Sequence, residues 1–188
     1  MAGILFIISA PSGSGKSTLV SEVRRLVEGL EFSISYTTRD PRGSEEDGRE
    51  YYFTSRENFE RMIAAGEFLE WAEVFGNYYG TAISALDHAH KTHKDLLLDI
   101  DVQGALQVMQ RLPAAVSIFI LPPSPEVLEM RLRNRSQAEG MTQESVIATR
   151  LSNARAELSE IGKYKYALVN DQLDLAATEM REIGRAHV

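Results

Sequence analysis

Short runs of consecutive apolar residues alternate along most of this chain with longer stretches in which apolar residues recur every three or four positions. Ile4-Leu5-Phe6-Ile7-Ile8 reads as a buried strand over 4–9, and Leu19, Val23 and Leu26 make one stripe of a helix over 17–28, closed by Gly29. The rhythm resumes after residue 82. It predicts a helix over 83–92, a buried strand at Leu96-Leu97-Leu98-Asp99-Ile100, a helix over 102–111 and a strand over 116–121 stopped by Pro122, Pro123 and Pro125. An Arg-rich helix over 126–134, a polar break at 136–142, a long helix over 143–160, a strand at Tyr166-Ala167-Leu168-Val169 and a last helix over 172–185 follow. Continuous apolar strands alternating with helices predict an α/β fold with a mostly parallel sheet covered on both faces.

Between 31 and 82 the pattern changes. Phe32-Ser33-Ile34-Ser35-Tyr36 alternates like a strand, and Arg39 to Glu50 is a charged loop. Residues 57–65 read as a short helix ended by Gly66, and Phe68 to Phe75 alternates again. Gly76-Asn77-Tyr78-Tyr79-Gly80 reads as a turn-rich loop. A mixed, strand-containing lobe over about 33–82, inserted between core elements, is the expectation.

Composition narrows the possibilities. The 188 residues suit one α/β domain with small inserted lobes, and 44% hydrophobic with 25% charged residues is ordinary for a soluble protein. A net charge of −7 argues against general nucleic-acid binding, which needs a basic face, but leaves room for a local nucleotide site. The absence of cysteine excludes disulfides and thiolate chemistry. No apolar stretch is long enough to span a membrane, and the N-terminus lacks a signal-peptide layout, so the cytoplasm is the expected compartment.

The most informative segment follows the first strand: Ala10-Pro11-Ser12-Gly13-Ser14-Gly15-Lys16-Ser17-Thr18. Glycines there let successive backbone N–H groups turn toward an anion, and the helix that follows aims its positive end at the same place. Lys16 can reach the outer phosphates of a nucleotide, and the Ser17 hydroxyl can sit on Mg²⁺. The strict phosphate-loop pattern begins with glycine, where this chain has Ala10.

Other groups carry weaker signals. Asp99 and Asp101 end an apolar strand at what would be the ligand edge of a parallel sheet. Alternating on the strand, they are expected to point to opposite faces, so that one serves the metal shell while the other contacts a substrate. Arg39 and Arg42 lie on an irregular stretch and could grip phosphate, although Glu45, Glu46, Asp47 and Glu50 beside them also suit a solvated loop. Arg131, Arg133 and Arg135, with Arg150 on the next helix, could neutralise a transferring phosphoryl group. Arg133 is also spaced to pair with Glu129 on a plain surface helix. His88, His90 and His93 read as a solvated helix end rather than a metal site.

Taken in order, these residues resemble guanylate kinase over about 3–184. The stretches that carry the resemblance are Ser12 to Thr18, Ser33 to Arg42, Glu45 with Gly48, Tyr51 and Phe53, and Glu67 to Trp71. Gly76 to Gly80, Leu98 to Asp101 with Gln103 and Gly104, and Val169-Asn170-Asp171 complete the series. The resemblance implies a P-loop NTPase-type enzyme that transfers the γ-phosphate of ATP to GMP, with Mg²⁺ as cofactor. It implies a core (1–32, 83–124, 151–188), a GMP-binding lobe (33–82) and a small helical lid (125–150). It implies that Ser35, Glu70, Thr81 and Asp101 contact guanine, and that Arg39, Arg42, Tyr51 and Tyr79 hold the GMP phosphate. Ala10 to Thr18 would hold the ATP phosphates, with Asn170 near the adenosine. Lys16, Arg42, Arg135 and Arg150 would be catalytic, and Ser17 and Asp99 would serve the metal. The implied partners are ATP and GMP, with dGMP as a further acceptor, and the assembly a monomer or homodimer.

The chain departs from the family pattern at Ser44 and Ser136, where glycine is usual, and in the lid. Fourteen residues separate Arg135 from Arg150, a longer span than is usual, with Ala138-Glu139-Gly140-Met141 as the extra segment. That leaves Arg131 and Arg133 as rivals of Arg135. Two other functions fit parts of the pattern. A non-catalytic module of the same fold would lose pieces of the phosphate loop, and a phosphotransferase with another acceptor, such as a phosphorylated ribose, would lack Ser35, Glu70 and Thr81.

Overall fold

The computed structural model describes residues 3–140 and 142–187; Met141, in the extra lid segment, lies outside the described residues. The element order is β1 (Leu5–Ser9), α1 (Lys16–Leu26), β2 (Leu30–Phe32), β3 (Tyr36–Thr37), β4 (Tyr52–Phe53), α2 (Arg56–Ala64), β5 (Phe68–Val74) and β6 (Asn77–Ala82). It continues with α3 (Ile83–Thr92), β7 (Asp95–Asp99), α4 (Val102–Arg111), β8 (Val116–Leu121), α5 (Pro125–Ala138), α6 (Glu144–Leu158), a 3₁₀ turn at Ile161–Lys163, β9 (Tyr166–Val169) and α7 (Leu173–Arg185). One sheet has the strand order β2-β7-β1-β8-β9, and a smaller one β4-β3-β6-β5. The β2–β7 and β8–β9 ladders are parallel, and β7 and β8 are the buried apolar runs typical of such sheets.

The chain divides into two compact units: Met1–Ile7 with Gly29–Ala115, and Ile8–Glu28 with Val116–Val188. The first contains the smaller sheet, where Phe59, Met62 and Phe68 form a buried cluster beneath Tyr36, Ile63 and Tyr78. Phe59 stacks on Phe68 and on Tyr78, with ring centroids 4.3 and 5.2 Å apart. In the second unit Leu128 and Leu132 of α5 pack on Ala154 of α6, with Leu151 and Leu158 alongside. Among the described residues no helix is long and apolar enough to cross a membrane.

Three expectations are corrected. The stretch 76–80 is strand, not loop. The chain reverses in the two residues Phe75 and Gly76, both with positive φ (51° and 79°), and β6 starts at Asn77. Gly80 sits inside that strand because a side chain would collide with the Glu70 carbonyl and the rings of Phe59 and Phe68. The alternation at 32–36 is also not one strand. Phe32 ends β2, which pairs with β7, and Tyr36 begins β3 in the other sheet, so the chain changes sheets between them. Helix α5 runs to Ala138, past the expected break, because Ser136 is fully buried and accepts a hydrogen bond from Arg150.

Candidate active site

Each unit carries one group of the expected site residues. In the second unit the phosphate loop leads from β1 into α1. The Ser14 N–H donates to the Pro11 carbonyl at 3.2 Å, and Gly13 and Gly15 take left-handed backbone angles (φ 89° and 82°). Gly15 is the N-cap of α1, so Lys16, Ser17 and Thr18 form its first turn, where backbone N–H groups lack helical partners. Ala10 and Pro11 are buried behind the loop. Ser14 is fully buried, and its hydroxyl makes no hydrogen bond within the protein.

Five side chains surround this loop. Asn170 is buried and donates from Nδ2 to the Ser14 carbonyl at 3.0 Å, bracing the loop itself. A Cβ on Gly13 would lie 3.2 Å from Leu128 and Leu132, so glycine lets α5 pack directly on the loop. Arg131 Nη1 approaches the Gly13 carbonyl at 3.5 Å, and Arg135 Nη1 the Ser12 hydroxyl at 3.4 Å. Arg131 and Arg135 are four residues apart and share the face of α5 toward the loop. Arg133 does not: it binds Glu129 at 2.8 Å and Glu144 at 2.7 Å. Arg133 thus makes the pair with Glu129 that its spacing allowed.

The extra lid segment contributes a residue that sequence reasoning passed over. Glu139 accepts from Arg135 Nε at 3.0 Å and from Arg150 Nη2 at 2.5 Å. Burial pushes its carboxyl up, but the guanidiniums of Arg150 and Arg135 more than reverse this and hold it below the usual carboxylate range. One carboxylate thus joins the two arginines expected to meet phosphate.

The first unit gathers the residues expected to hold GMP. Glu70 on β5 is 3% exposed and lies opposite Thr81 on β6, itself fully buried. Its carboxyl is pushed up to about 7. Burial is the largest cause; the Thr81 hydroxyl works against it, the Asp101 charge adds to it, and the Thr81 N–H and the Arg111 charge oppose it. The Thr81 hydroxyl favours the charged form by proximity without making a hydrogen bond of full geometry. Gly104 lies against the carboxylate, and a Cβ there would collide with it.

Asp101 is the N-cap of α4, its Oδ1 accepting from the Gly104 N–H at 2.7 Å. Strand alternation would not separate Asp99 from Asp101, because residues two apart share a face. They are separated because β7 ends at Asp99 and Asp101 starts the helix. Ser35 falls between β2 and β3, and its carbonyl accepts from the Tyr52 N–H at 2.9 Å.

Arg39 is 9% exposed and is gripped by both oxygens of Glu45, at 2.9 and 3.0 Å. Its guanidinium carbon lies 5.3 Å from the Tyr51 ring centroid, and the Tyr51 and Tyr79 rings are 5.9 Å apart. Glu45 also accepts from the Arg42 N–H at 2.8 Å, so it shapes the loop that carries both arginines, while the Arg42 residue itself is exposed. Arg39, Tyr51 and Tyr79 therefore form one cluster.

Mg²⁺ needs few protein ligands, since it keeps several waters and binds through substrate phosphates. Ser17 presents an exposed hydroxyl on the first turn of α1, and Asp99 is a partly buried hard-oxygen donor. Among the described residues no cluster of three His, Cys, Asp or Glu could cage a metal. His88 is solvent-facing on α3, 3.7 Å from Glu31.

Comparison with known proteins gives the family. Residues 3–187 match the family model described as guanylate kinase. The chain is 56% identical to a guanylate kinase of Koribacter versatilis, over 97% of this chain and 78% of the relative. It is 48% identical to one of Nitrosospira multiformis, over 98% of this chain and 86% of the relative. Its fold is similar to the crystal structure of guanylate kinase from Anaplasma phagocytophilum, with a TM-score of 0.80 at 35% identity, covering 98% of this chain and 86% of that one. With a family model matched over nearly its whole length and relatives up to 56% identical, the chain belongs to the guanylate kinase family.

Proposed function

We propose a division of labour for the ATP-dependent phosphorylation of GMP that family membership assigns to this chain. Ala10 to Thr18 hold the ATP phosphates, and Lys16, Arg135 and Arg150 neutralise the γ-phosphoryl group as it transfers. Arg39, Arg42, Tyr51 and Tyr79 hold the GMP phosphate, with Arg42 also facing the transferring group. Ser35, Glu70, Thr81 and Asp101 read guanine. Asn170 serves the ATP side, and its hydrogen bond to Ser14 supports a role in shaping the phosphate loop. Ser17 and, through water, Asp99 would hold Mg²⁺, which when bound offsets negative charge on the ATP phosphates.

The observation that carries the reading is Glu70. A buried carboxylate beside Thr81 and Asp101 can accept both N1–H and N2–H of guanine, a donor pair that adenine lacks. In the reaction an oxygen of the GMP phosphate forms a bond to the γ-phosphorus of ATP, and the bond to the β–γ bridging oxygen breaks, releasing ADP. A phosphate monoester is already a competent nucleophile, so no general base is required. Catalysis falls to positioning and charge neutralisation. None of the roles assigned here uses the ribose 2′-hydroxyl, so dGMP is an acceptor too. We place the enzyme in the cytoplasm, as a monomer or homodimer.

A coupled assay of ADP release with GMP, dGMP, AMP and UMP tests the assignment. GMP and dGMP are expected to turn over, and AMP and UMP to react at least about a hundredfold more slowly. Turnover of AMP at a rate similar to GMP would remove guanine reading from Glu70.

A further inference from the structure

We propose that Gln107 and Arg111, two side chains of α4, are positioning residues that set the Glu70 carboxylate for guanine. The inference rests on Glu70 reading the base, and it concerns how a strand at a sheet edge can present that carboxylate reproducibly.

Strand β5 is the last in its sheet, bonded on one edge to β6. Its pairing is irregular where it matters: Phe68 faces Ala82 and Glu70 faces Thr81, so Leu69 is an extra residue in the ladder. Such a bulge re-aims the side chains beside it. Here it breaks the strict alternation, and Phe68, Leu69 and Glu70 are all buried in succession. A slip of one residue would turn Glu70 to the other face, and an edge strand with one partner resists slipping poorly.

The outer edge is not left open. Gln107 uses its carboxamide as a neighbouring strand would use its backbone: Nε2 donates to the Trp71 carbonyl at 2.7 Å, and Oε1 accepts from the Trp71 N–H at 3.3 Å. One helical turn on, Arg111 Nη1 donates to the Leu69 carbonyl at 2.5 Å and reaches the Phe68 carbonyl at 3.4 Å. The residues on both sides of Glu70 are therefore tied to α4. The same helix starts at Asp101 and brings Gly104 against the carboxylate itself. Bulge, clamp and glycine together fix where the carboxylate stands.

The test is steady-state kinetics of Gln107→Leu, Arg111→Met and Arg111→Lys, with Glu70→Gln as reference, using GMP and inosine monophosphate as acceptors. Hypoxanthine offers N1–H but no 2-amino group, so it forms only one of the two bonds to Glu70. A displaced carboxylate therefore costs GMP more than it costs the inosine nucleotide. Gln107→Leu and Arg111→Met are expected to raise KM for GMP about tenfold and to shrink the GMP preference by a similar factor. Their kcat at saturating GMP should stay within about threefold and KM for ATP should not change, while Arg111→Lys, which keeps a donor, recovers most of the preference. If Glu70→Gln leaves the preference intact, the base-reading role of Glu70 fails. If Glu70→Gln abolishes it while the α4 variants hold it within about twofold, the positioning role fails, even where those variants melt at lower temperature.

Discussion

The unit around Glu70 and the unit around the phosphate loop solve opposite problems. The groups proposed to read the base are buried: Glu70 and Thr81 are 3% and 0% exposed, and the Glu70 carboxyl is driven up to about 7 by burial. The groups proposed to neutralise charge are longer, more exposed side chains that already hold ion pairs, Arg135 and Arg150 both on Glu139. A base reader must reject wrong partners, which a desolvated and incompletely satisfied group does well. A charge clamp must bind and release phosphate each cycle, which suits guanidiniums that exchange one anionic partner for another.

Lys16→Ala should have the largest effect, a loss of at least about a thousandfold in kcat, because it removes a charge from the transferring phosphates. Rapid-quench or coupled kinetics would show it. Arg135→Ala and Arg150→Ala should each cost at least about a hundredfold in kcat, and Arg133→Ala less than about threefold. An inactive Arg133→Ala beside an active Arg135→Ala would reverse the assignment within α5.

Glu70→Gln should cost about 2–4 kcal/mol in kcat/KM for GMP, because the amide can accept from one guanine donor and must oppose the other. The same substitution should stabilise the protein without ligand, and the sign follows from the raised pKa. Neutral Glu70 is favoured in the folded state, so its contribution is present below its ordinary value of 4.5 and is lost as pH rises through about 7. The gain from glutamine should therefore be absent at pH 4, grow between 4.5 and 7, and level off at about 1–3 kcal/mol. Thermal melts across that range would show it. A gain over the wild type that is no larger at pH 8 than at pH 4 would mean that burial does not raise the Glu70 pKa.

The smallest expected change is at Glu139. Glu139→Gln removes the carboxylate that joins Arg135 and Arg150, and partly exposed pairs of this kind contribute about 0–1 kcal/mol. KM for ATP should fall by no more than about fivefold, more at low salt than at high, with kcat nearly unchanged. A large loss of kcat would make Glu139 a part of the charge clamp rather than a partner that phosphate replaces.

The features legible in the sequence were those that local chemistry decides. The phosphate loop declares itself through Gly13, Gly15 and Lys16 between an apolar strand and a helix, and the buried strands through unbroken apolar runs. What escaped depends on contacts between distant segments. Gly76 to Gly80 has the composition of a loop, and only the turn at Phe75 and Gly76 with the close fit of Gly80 against Glu70 makes it a strand. Ser136 looks like a helix breaker until Arg150 binds it. Gln107 and Arg111 look like ordinary surface residues of a helix, because their partner is the backbone of β5 rather than a side chain. Asp99 and Asp101 read as neighbours on one strand, and the capping of α4 by Asp101 becomes evident only once β7 is seen to end at Asp99.

Crossed calorimetric titrations test the separation of the two half-sites most directly. Lys16→Ala and Glu70→Gln would each be titrated with GMP and with a non-hydrolysable ATP analogue. Lys16→Ala is predicted to bind GMP within about twofold of the wild type and the analogue at least about tenfold more weakly, and Glu70→Gln to show the reverse. A comparable loss of both ligands in either variant would contradict the assignment of Lys16 to ATP and Glu70 to guanine.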